Sequence, residues 1–258
     1  MRVASSVLTA LGIGLAGCGA SPAPEWRVLF DGKTLAGWEA PGESWVVADG
    51  CIKTVKAPRI REDLLTSDSF GDFDLQFEWR IAAGGNGGVK YRIQERALVP
   101  ASDPVWKKFE DRLDHQLRNR VWSRDKIPAG EKYEDYLVGF EYQLIDNQGH
   151  PDAAAPERST GSIYSMVAPV KQMARPVGEF NQARIVLRGN RVEHWLNGEK
   201  VVDADLGAPA IAEGLARRWT TASPVYELLT KQPKKRTPLG LQNHGDEVWF
   251  RNLRIRER

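Results

Sequence analysis

Nine consecutive residues, Phe73-Asp74-Leu75-Gln76-Phe77-Glu78-Trp79-Arg80-Ile81, are apolar at every odd position and polar at every even one. Successive side chains of a strand point to opposite faces, whereas a helix returns to one face every 3.6 residues, so this run buries its apolar side only as a strand with one wet face. Such a strand belongs to an antiparallel sheet with a core on one side. Residues 89–94 repeat the alternation after Gly84-Gly85-Asn86-Gly87-Gly88, and the glycine-rich link predicts a hairpin between the two runs. Shorter runs at 45–47, 51–55, 140–145, 161–166, 183–187, 191–196, 239–243 and 248–256 extend the pattern, with Gly189-Asn190 and Asn197-Gly198 marking tight turns. Roughly ten to twelve short strands with no linker between them predict one all-β domain of two antiparallel sheets packed face to face.

One segment breaks the rhythm. Between 104 and 125 the apolar residues Phe109, Leu113, Leu117 and Val121 fall four apart among charges, which predicts a short helical insertion within 97–137. The stretch 208–238 reads as an irregular loop whose Arg217, Arg218, Lys231, Lys234, Lys235 and Arg236 form a solvated basic face. With 36 Lys and Arg against 34 Asp and Glu in 258 residues, the formal charge is only +2, and no basic block offers a footprint for nucleic acid. No HExxH, paired CxxC, GxSxG, P-loop or flanked GxGxxG is present, which removes the usual zinc-protease, serine-hydrolase and nucleotide-cofactor readings.

The N-terminal residues read as an address. Arg2, an apolar run over 7–15 and then Leu15-Ala16-Gly17-Cys18 predict a lipoprotein signal over 1–17, a lipidated Cys18, and a tether over 18–25 containing Ser21-Pro22-Ala23-Pro24. A single domain over 26–258 follows. Gly19, not an acidic residue, points to the periplasmic face of an outer membrane, so the expected location is the cell envelope with membrane contact through the lipid alone. Cys51, the other of two cysteines, alternates within a strand and is expected as a buried thiol without a disulfide partner.

Polar faces carry the candidate chemistry. Glu141 and Gln143 share one face of a strand, opposite Phe140, Tyr142 and Leu144; Gln242 and His244 share another; Lys90 and Arg92 have the parity of a third pair. A carboxylate beside amides suits sugar hydroxyls and proton abstraction, and an imidazole serves as acid, base or metal ligand. His194 alternates with Val192 and Leu196 and is expected to face the core.

Several segments taken in order resemble a known family. They are Leu29-Phe30-Asp31-Gly32-Lys33-Thr34-Leu35-Ala36-Gly37-Trp38, Trp45 with Asp49-Gly50, Gly71-Asp72-Phe73-Asp74-Leu75, and Asn86-Gly87-Gly88-Val89 with Arg92. Phe140-Glu141-Tyr142-Gln143 with Asp146, Gly161-Ser162-Ile163-Tyr164, Asn197-Gly198, and Leu241-Gln242-Asn243-His244-Gly245 with Phe250-Arg251-Asn252 continue the series. The order and spacing are similar to the 3-keto-disaccharide hydrolase domain family across nearly the whole chain after its signal. Two departures are Asn86-Gly87-Gly88 where the family commonly has Asn-Ser-Gly, and the long stretch 97–137.

The resemblance implies a concanavalin-like jelly-roll sandwich and a glycoside already oxidised at C3, so that a separate sugar 3-dehydrogenase would supply the substrate. A C3 ketone acidifies the hydrogen on C2; a base removes it, the C1 substituent leaves by elimination, and water adds. Glu141 or His244 would be the base. A divalent cation held by Glu141 and His244, or else the side chains of Lys90 and Arg92, would stabilise the enolate. Asn86, Lys90, Arg92, Gln143, Asp146, Tyr164 and Gln242 would line the substrate site. The competing expectation is a non-catalytic carbohydrate-binding lipoprotein with Trp195 as a stacking platform; a third is an interaction module that docks through the charged insertion.

Overall fold

Residues 25–39 and 42–258 are described by the computed structural model of the chain, so the expected signal at 1–17 and the lipidation site Cys18 lie outside the described residues. Among the described residues the alternating runs form thirteen strands. These are β1 (Arg27–Val28), β2 (Trp45–Ala48), β3 (Cys51–Thr54), β4 (Ile60–Arg61), β5 (Leu64–Leu65), β6 (Phe73–Ile81), β7 (Asn86–Pro100), β8 (Tyr133–Ile145), β9 (Asn181–Arg188), β10 (Arg191–Leu196), β11 (Glu199–Asp205), β12 (Gly240–Asn243) and β13 (Val248–Glu257). One sheet runs β11-β10-β9-β6-β13-β3-β2 with β1 added on β13, and the other runs β4-β8-β7-β12-β5. Every pairing among them is antiparallel except β4 with β8, where Ile60 lies beside Tyr133 in parallel register.

The core fills the space between the sheets. Phe73, Leu75, Phe77, Trp79 and Ile81 of β6 point inward, and so do Val89 and Tyr91 of β7 and Phe140, Tyr142 and Leu144 of β8. Phe77 meets Tyr142 edge to face at 5.9 Å between ring centroids. Burying each such side chain stabilises the fold by about 1.5–3 kcal/mol, which fixes both strand parities at once. His194, fully buried, sits in this core between the carbonyl of Gly161 (2.9 Å) and the Tyr91 hydroxyl (3.0 Å), and burial pushes its pKa down to about 4. Cys51 is buried and free.

Four expectations need correction. β6 and β7 do not form a hairpin: β6 pairs with β9 and β13, and β7 pairs with β8 and β12. Both strands turn an apolar face to the same core from opposite sides, and the short glycine-rich link is long enough to cross the roughly 10 Å between packed sheets. The 161–166 run is a turn in which only Ile163 bridges, to Tyr142 and Val167, with Ser165 in the left-handed region (φ 63°). The insertion is shorter than 97–137, because β7 runs on to Pro100 and β8 begins at Tyr133. It contains α1 (Phe109–Asn119), which buries Leu113 and ends at Arg120 in the left-handed region, leaving Val121 exposed.

The fourth correction is the stretch 208–238. It holds α2 (Pro209–Trp219) and α3 (Pro224–Thr230), whose Ile211, Leu215, Trp219, Val225 and Leu229 join the core. Pro209 at the first helical turn and the four-residue apolar spacing account for α2. The Ser223 side chain caps α3 by accepting from the Val225 amide, and its hydroxyl donates to Asp114 of α1 at 2.6 Å. No helix among the described residues is long and apolar enough to cross a membrane.

Candidate active site

Two rows of residues cross the middle of the five-stranded sheet on the side away from the core. Registers align Gln143 of β8, Gly88 of β7 and Gln242 of β12 in one row, and Glu141, Lys90 and Gly240 in the next. The glycines make this floor possible. A Cβ on Gly88 would stand 2.5 Å from Oε1 of Glu141, so the Glu141 side chain lies across the strand where a side chain would otherwise be. A Cβ on Gly240 would stand 2.6 Å from Cδ1 of Leu137. Gly88 is thus part of the floor itself.

Over this floor lies a cavity of about 370 Å³, within the range of small-molecule sites. Glu141, Gln143, Asn86, Gln242 and His244 line its base. Arg61 of β4, Glu134 and Tyr136 of β8, Phe109, Glu110 and Arg112 of α1, Asp152, Arg158 and Tyr164 of the 150–164 segment, and Arg218 of α2 complete it. Glu134 and Tyr136 have opposite parity to Glu141. They nevertheless line the same cavity, beyond the point where the β7–β8 ladder shifts between Tyr91 and Glu95.

The electrostatics favour a carboxylate that accepts protons readily. Burial raises the pKa of Glu141, and the nearby Lys90 ammonium, 3.9 Å away, pulls it back only in part. Lys90 is almost wholly buried. Its Nζ donates to the carbonyl of Leu137 (3.2 Å), lies 3.6 Å from Asp63 and sits 4.1 Å over the Tyr136 ring. The two carboxylates overcome the burial that would otherwise discharge it, and its pKa is raised. Burial lowers the pKa of His244, which keeps the imidazole neutral near pH 7. Burial also pushes the Tyr164 hydroxyl up to about 12, and that hydroxyl donates to Asp152 at 3.3 Å.

Amides supply the remaining polar groups. Nε2 of Gln143 donates to Oδ1 of Asn86 at 3.1 Å, while Oε1 of Gln143 and Oε1 of Gln242 are buried without a hydrogen-bond partner. Leaving a buried acceptor unpaired costs about 1–3 kcal/mol, so these oxygens are held ready for a ligand that brings hydroxyl donors.

The structure therefore brings Asn86, Glu141, Gln143, Tyr164, Gln242 and His244 to one cavity, with Lys90 beneath it. It does not bring Arg92, Asp146 or Trp195. Arg92 sits at the slip in β7 with φ 53°, which breaks the parity with Lys90; its guanidinium donates to the carbonyl of Gly189 at 2.6 Å, beside a different cavity. Asp146 accepts from the amides of Gly84 (2.8 Å) and Gln148 (3.0 Å), closing a turn beside another cavity of about 730 Å³. Trp195 lies on the outer face of the eight-stranded sheet, lining a cavity of about 660 Å³, with its indole N–H donated to Glu193 and the Arg184 guanidinium 5.5 Å from its ring.

Sequence reasoning missed Arg61, Glu134, Arg158 and Arg218. Only Arg218 left a signal, since Ile211, Leu215 and Trp219 at helical spacing after Pro209 mark its helix. As for a divalent cation, Glu141 and His244 are two donors, and among the described residues no three His, Cys, Asp or Glu side chains converge to hold an ion. The charge beside Glu141 is the Lys90 ammonium. This donor set does not fit a metal centre.

The chain matches a family profile over residues 25–256, that of the 3-keto-alpha-glucoside-1,2-lyase-like domain. It is 31% identical over 250 residues to the 3-keto-disaccharide hydrolase of Bacteroides thetaiotaomicron, with 88% of this chain and 77% of that protein covered. A crystal structure from Parabacteroides distasonis, provisionally named a glycosyl hydrolase, is similar at a TM-score of 0.65 and 26% identity, covering 90% of this chain and 94% of that one. A second structure from the same organism, with a TM-score of 0.60 at 22% identity, covers 91% and 100% and shares the fold.

Proposed function

Because this chain belongs to the 3-keto-alpha-glucoside-1,2-lyase-like domain family, we propose that it cleaves glycosides carrying a ketone at C3, with Glu141 as the base that removes the C2 proton. The single observation that carries this reading is Glu141 itself: a buried carboxylate with a raised pKa, laid over Gly88 and facing a cavity whose amide oxygens lack partners. A raised pKa brings a carboxylate closer to neutrality, where a general base works best.

The steps follow from the ketone. The carboxylate of Glu141 takes the proton from C2, and the C2–H electron pair enters the C2–C3 bond as the C3 oxygen becomes an enolate. The enolate then re-forms the ketone by expelling the C1 substituent, whose oxygen takes the proton from the Glu141 carboxyl. Water adds to C1 of the resulting enone with Glu141 again carrying the proton, which returns to C2. Neutral His244 contributes a ring N–H or a lone pair at the same cavity. Lys90 acts from beneath, holding Glu141 ionised until it receives the proton. Ordinary hydrolysis through a pair of carboxylates and an oxocarbenium-like state is not needed.

Incubation with a 3-keto-glucoside and with its unoxidised parent tests the reading. The ketone alone makes the C2 hydrogen acidic enough for a protein carboxylate, so the first is cleaved and the second is left intact. Cleavage of both would place the chain among ordinary glycosidases, and binding without cleavage would support the carbohydrate-binding alternative. We further propose that Cys18 carries a lipid and tethers the domain to the periplasmic face of the outer membrane, and that a separate sugar 3-dehydrogenase makes the ketone.

A further inference from the structure

Formation of an enolate puts negative charge on the C3 oxygen, and a cation or strong donor has to meet it. The residues first expected to do so do not reach the cavity as free cations. Lys90 is spent beneath the floor on Leu137, Asp63 and Glu141, and Arg92 is turned to Gly189. Arg61 donates to Glu134 (2.5 Å) and to the carbonyl of His244 (3.2 Å). Arg112 donates to the carbonyls of Trp106 and Lys107, which holds the start of α1. Arg158, with its side chain 39% exposed, faces the Asp152 carboxylate at 3.6 Å and lies farther from the Tyr164 ring, at 5.9 Å.

Arg218 is different. It projects from the last turn of α2 into the cavity wall with its side chain only 19% exposed. Its guanidinium lies 4.9 Å from the Tyr164 ring and 4.7 Å from the Trp219 ring. Its ionic contact is Glu110, 3.6 Å from Nε, too long for a hydrogen bond. A guanidinium carries five N–H donors, and among the described residues none of those of Arg218 is engaged in a hydrogen bond, so they are free to meet a ligand in the cavity. Its charge is felt at Glu141, where it helps draw the carboxyl's pKa back down. The two aromatic rings fix the plane of the fork, so little rotamer freedom is lost when it binds.

We propose that Arg218 is the oxyanion-binding residue of this site: its guanidinium donates to the C3 carbonyl oxygen of the substrate and holds that oxygen as Glu141 takes the C2 proton. The inference rests on the reading of the site as one for 3-keto-glycosides. The bond broken is C2–H, its electron pair forms the C2–C3 double bond, the carbonyl π pair moves to the C3 oxygen, and the proton ends on Glu141.

The test measures turnover of a 4-nitrophenyl 3-keto-glucoside and solvent-deuterium exchange at its C2. Arg218→Gln should lower kcat and the exchange rate together by about 100- to 1,000-fold, the loss expected for one oxyanion donor, with KM changed less than about threefold. Added guanidinium should restore at least about a tenth of the lost rate. Arg217→Gln, which alters the exposed neighbour on the same helix, should leave kcat unchanged. A kcat near the wild-type value, a loss confined to KM, an equal loss in Arg217→Gln, or slowed cleavage with unslowed exchange would each overturn the inference while leaving the reading of the site intact. Should Arg218→Gln fail to fold, Arg218→Lys decides the matter, since kcat unchanged there overturns the inference and a loss of about tenfold or more at constant KM supports it. A wild-type protein that neither cleaves nor exchanges any 3-keto-glucoside would overturn the reading and the inference together.

Discussion

Replacing Gly88 with alanine should cost about 100-fold in activity while leaving the protein folded. Gly88 is in the middle of the floor with ordinary backbone geometry, since it is not among the positive-φ glycines, so alanine meets no backbone strain. The added Cβ would stand 2.5 Å from Oε1, 2.7 Å from Cγ and 2.8 Å from Cδ of Glu141. The first of these is 0.9 Å short of the 3.4 Å at which ordinary contact begins, and the atoms in the way belong to a flexible side chain, so the carboxylate yields. A displacement of about 1 Å at a reacting group costs on the order of 100-fold, or about 2.7 kcal/mol of transition-state stabilisation. Crowding in the folded state costs about 1–3 kcal/mol at most, offset in part by the stiffer unfolded chain. The assay is kcat/KM on a 3-keto-glucoside alongside thermal unfolding of the same preparation. Activity within threefold of wild type in a folded Gly88→Ala protein would refute the claim that this glycine exists to seat Glu141.

Further outcomes follow from the same geometry. Glu141→Gln and His244→Ala should each lower turnover by at least about 100-fold, with substrate binding better preserved than rate. Because the Glu141 carboxyl is raised and must be ionised to act, kcat/KM should fall as pH drops through a value above the usual carboxylate range; an acid limb near pH 4 or below would contradict this. Chelators should leave activity unchanged, and loss of activity restored by an added divalent cation would put a metal between Glu141 and His244 after all. Asp74 is fully buried; burial opposes its ionisation, but hydrogen bonds from Arg184, Arg258 and Arg256 outweigh this and bring its pKa to about 2. Its contribution is therefore present above about pH 4 and lost as pH falls toward 2, and Asp74→Asn should cost about 2 kcal/mol in denaturant unfolding near neutral pH with little cost at pH 2. Cys18→Ser should release or trap the protein in cell fractionation; a variant still lipidated and membrane-bound would remove the anchor.

Much of the site was legible because parity in a strand is a two-state choice fixed by burial. Once Phe140, Tyr142 and Leu144 had to face the core, Glu141 and Gln143 had to face away, and the same logic brought Gln242 with them. Arg92 escaped this logic because it is a left-handed residue inside the slipped part of the ladder, where the alternation is locally interrupted, and nothing in Val89-Lys90-Tyr91-Arg92 announces the slip. The β6–β7 hairpin failed for a related reason, since alternation says which face is buried but not which neighbour supplies the hydrogen bonds. Asp146 and Trp195 carry suitable chemistry on strands or turns that open to other cavities, a distinction that only tertiary structure makes. Arg218 was hidden inside a basic cluster whose charges masked the four-residue apolar spacing of its helix.

The central claim, that Glu141 removes the C2 proton, is tested most directly by running the reaction in deuterium oxide and following label at C2 at early times. The wild-type protein should incorporate one deuterium at C2 of the released 3-keto sugar, faster than the sugar exchanges alone, and Glu141→Gln should lose incorporation and cleavage in equal measure. Cleavage that leaves the C2 hydrogen unexchanged, or label that enters at the wild-type rate in Glu141→Gln, would contradict the account.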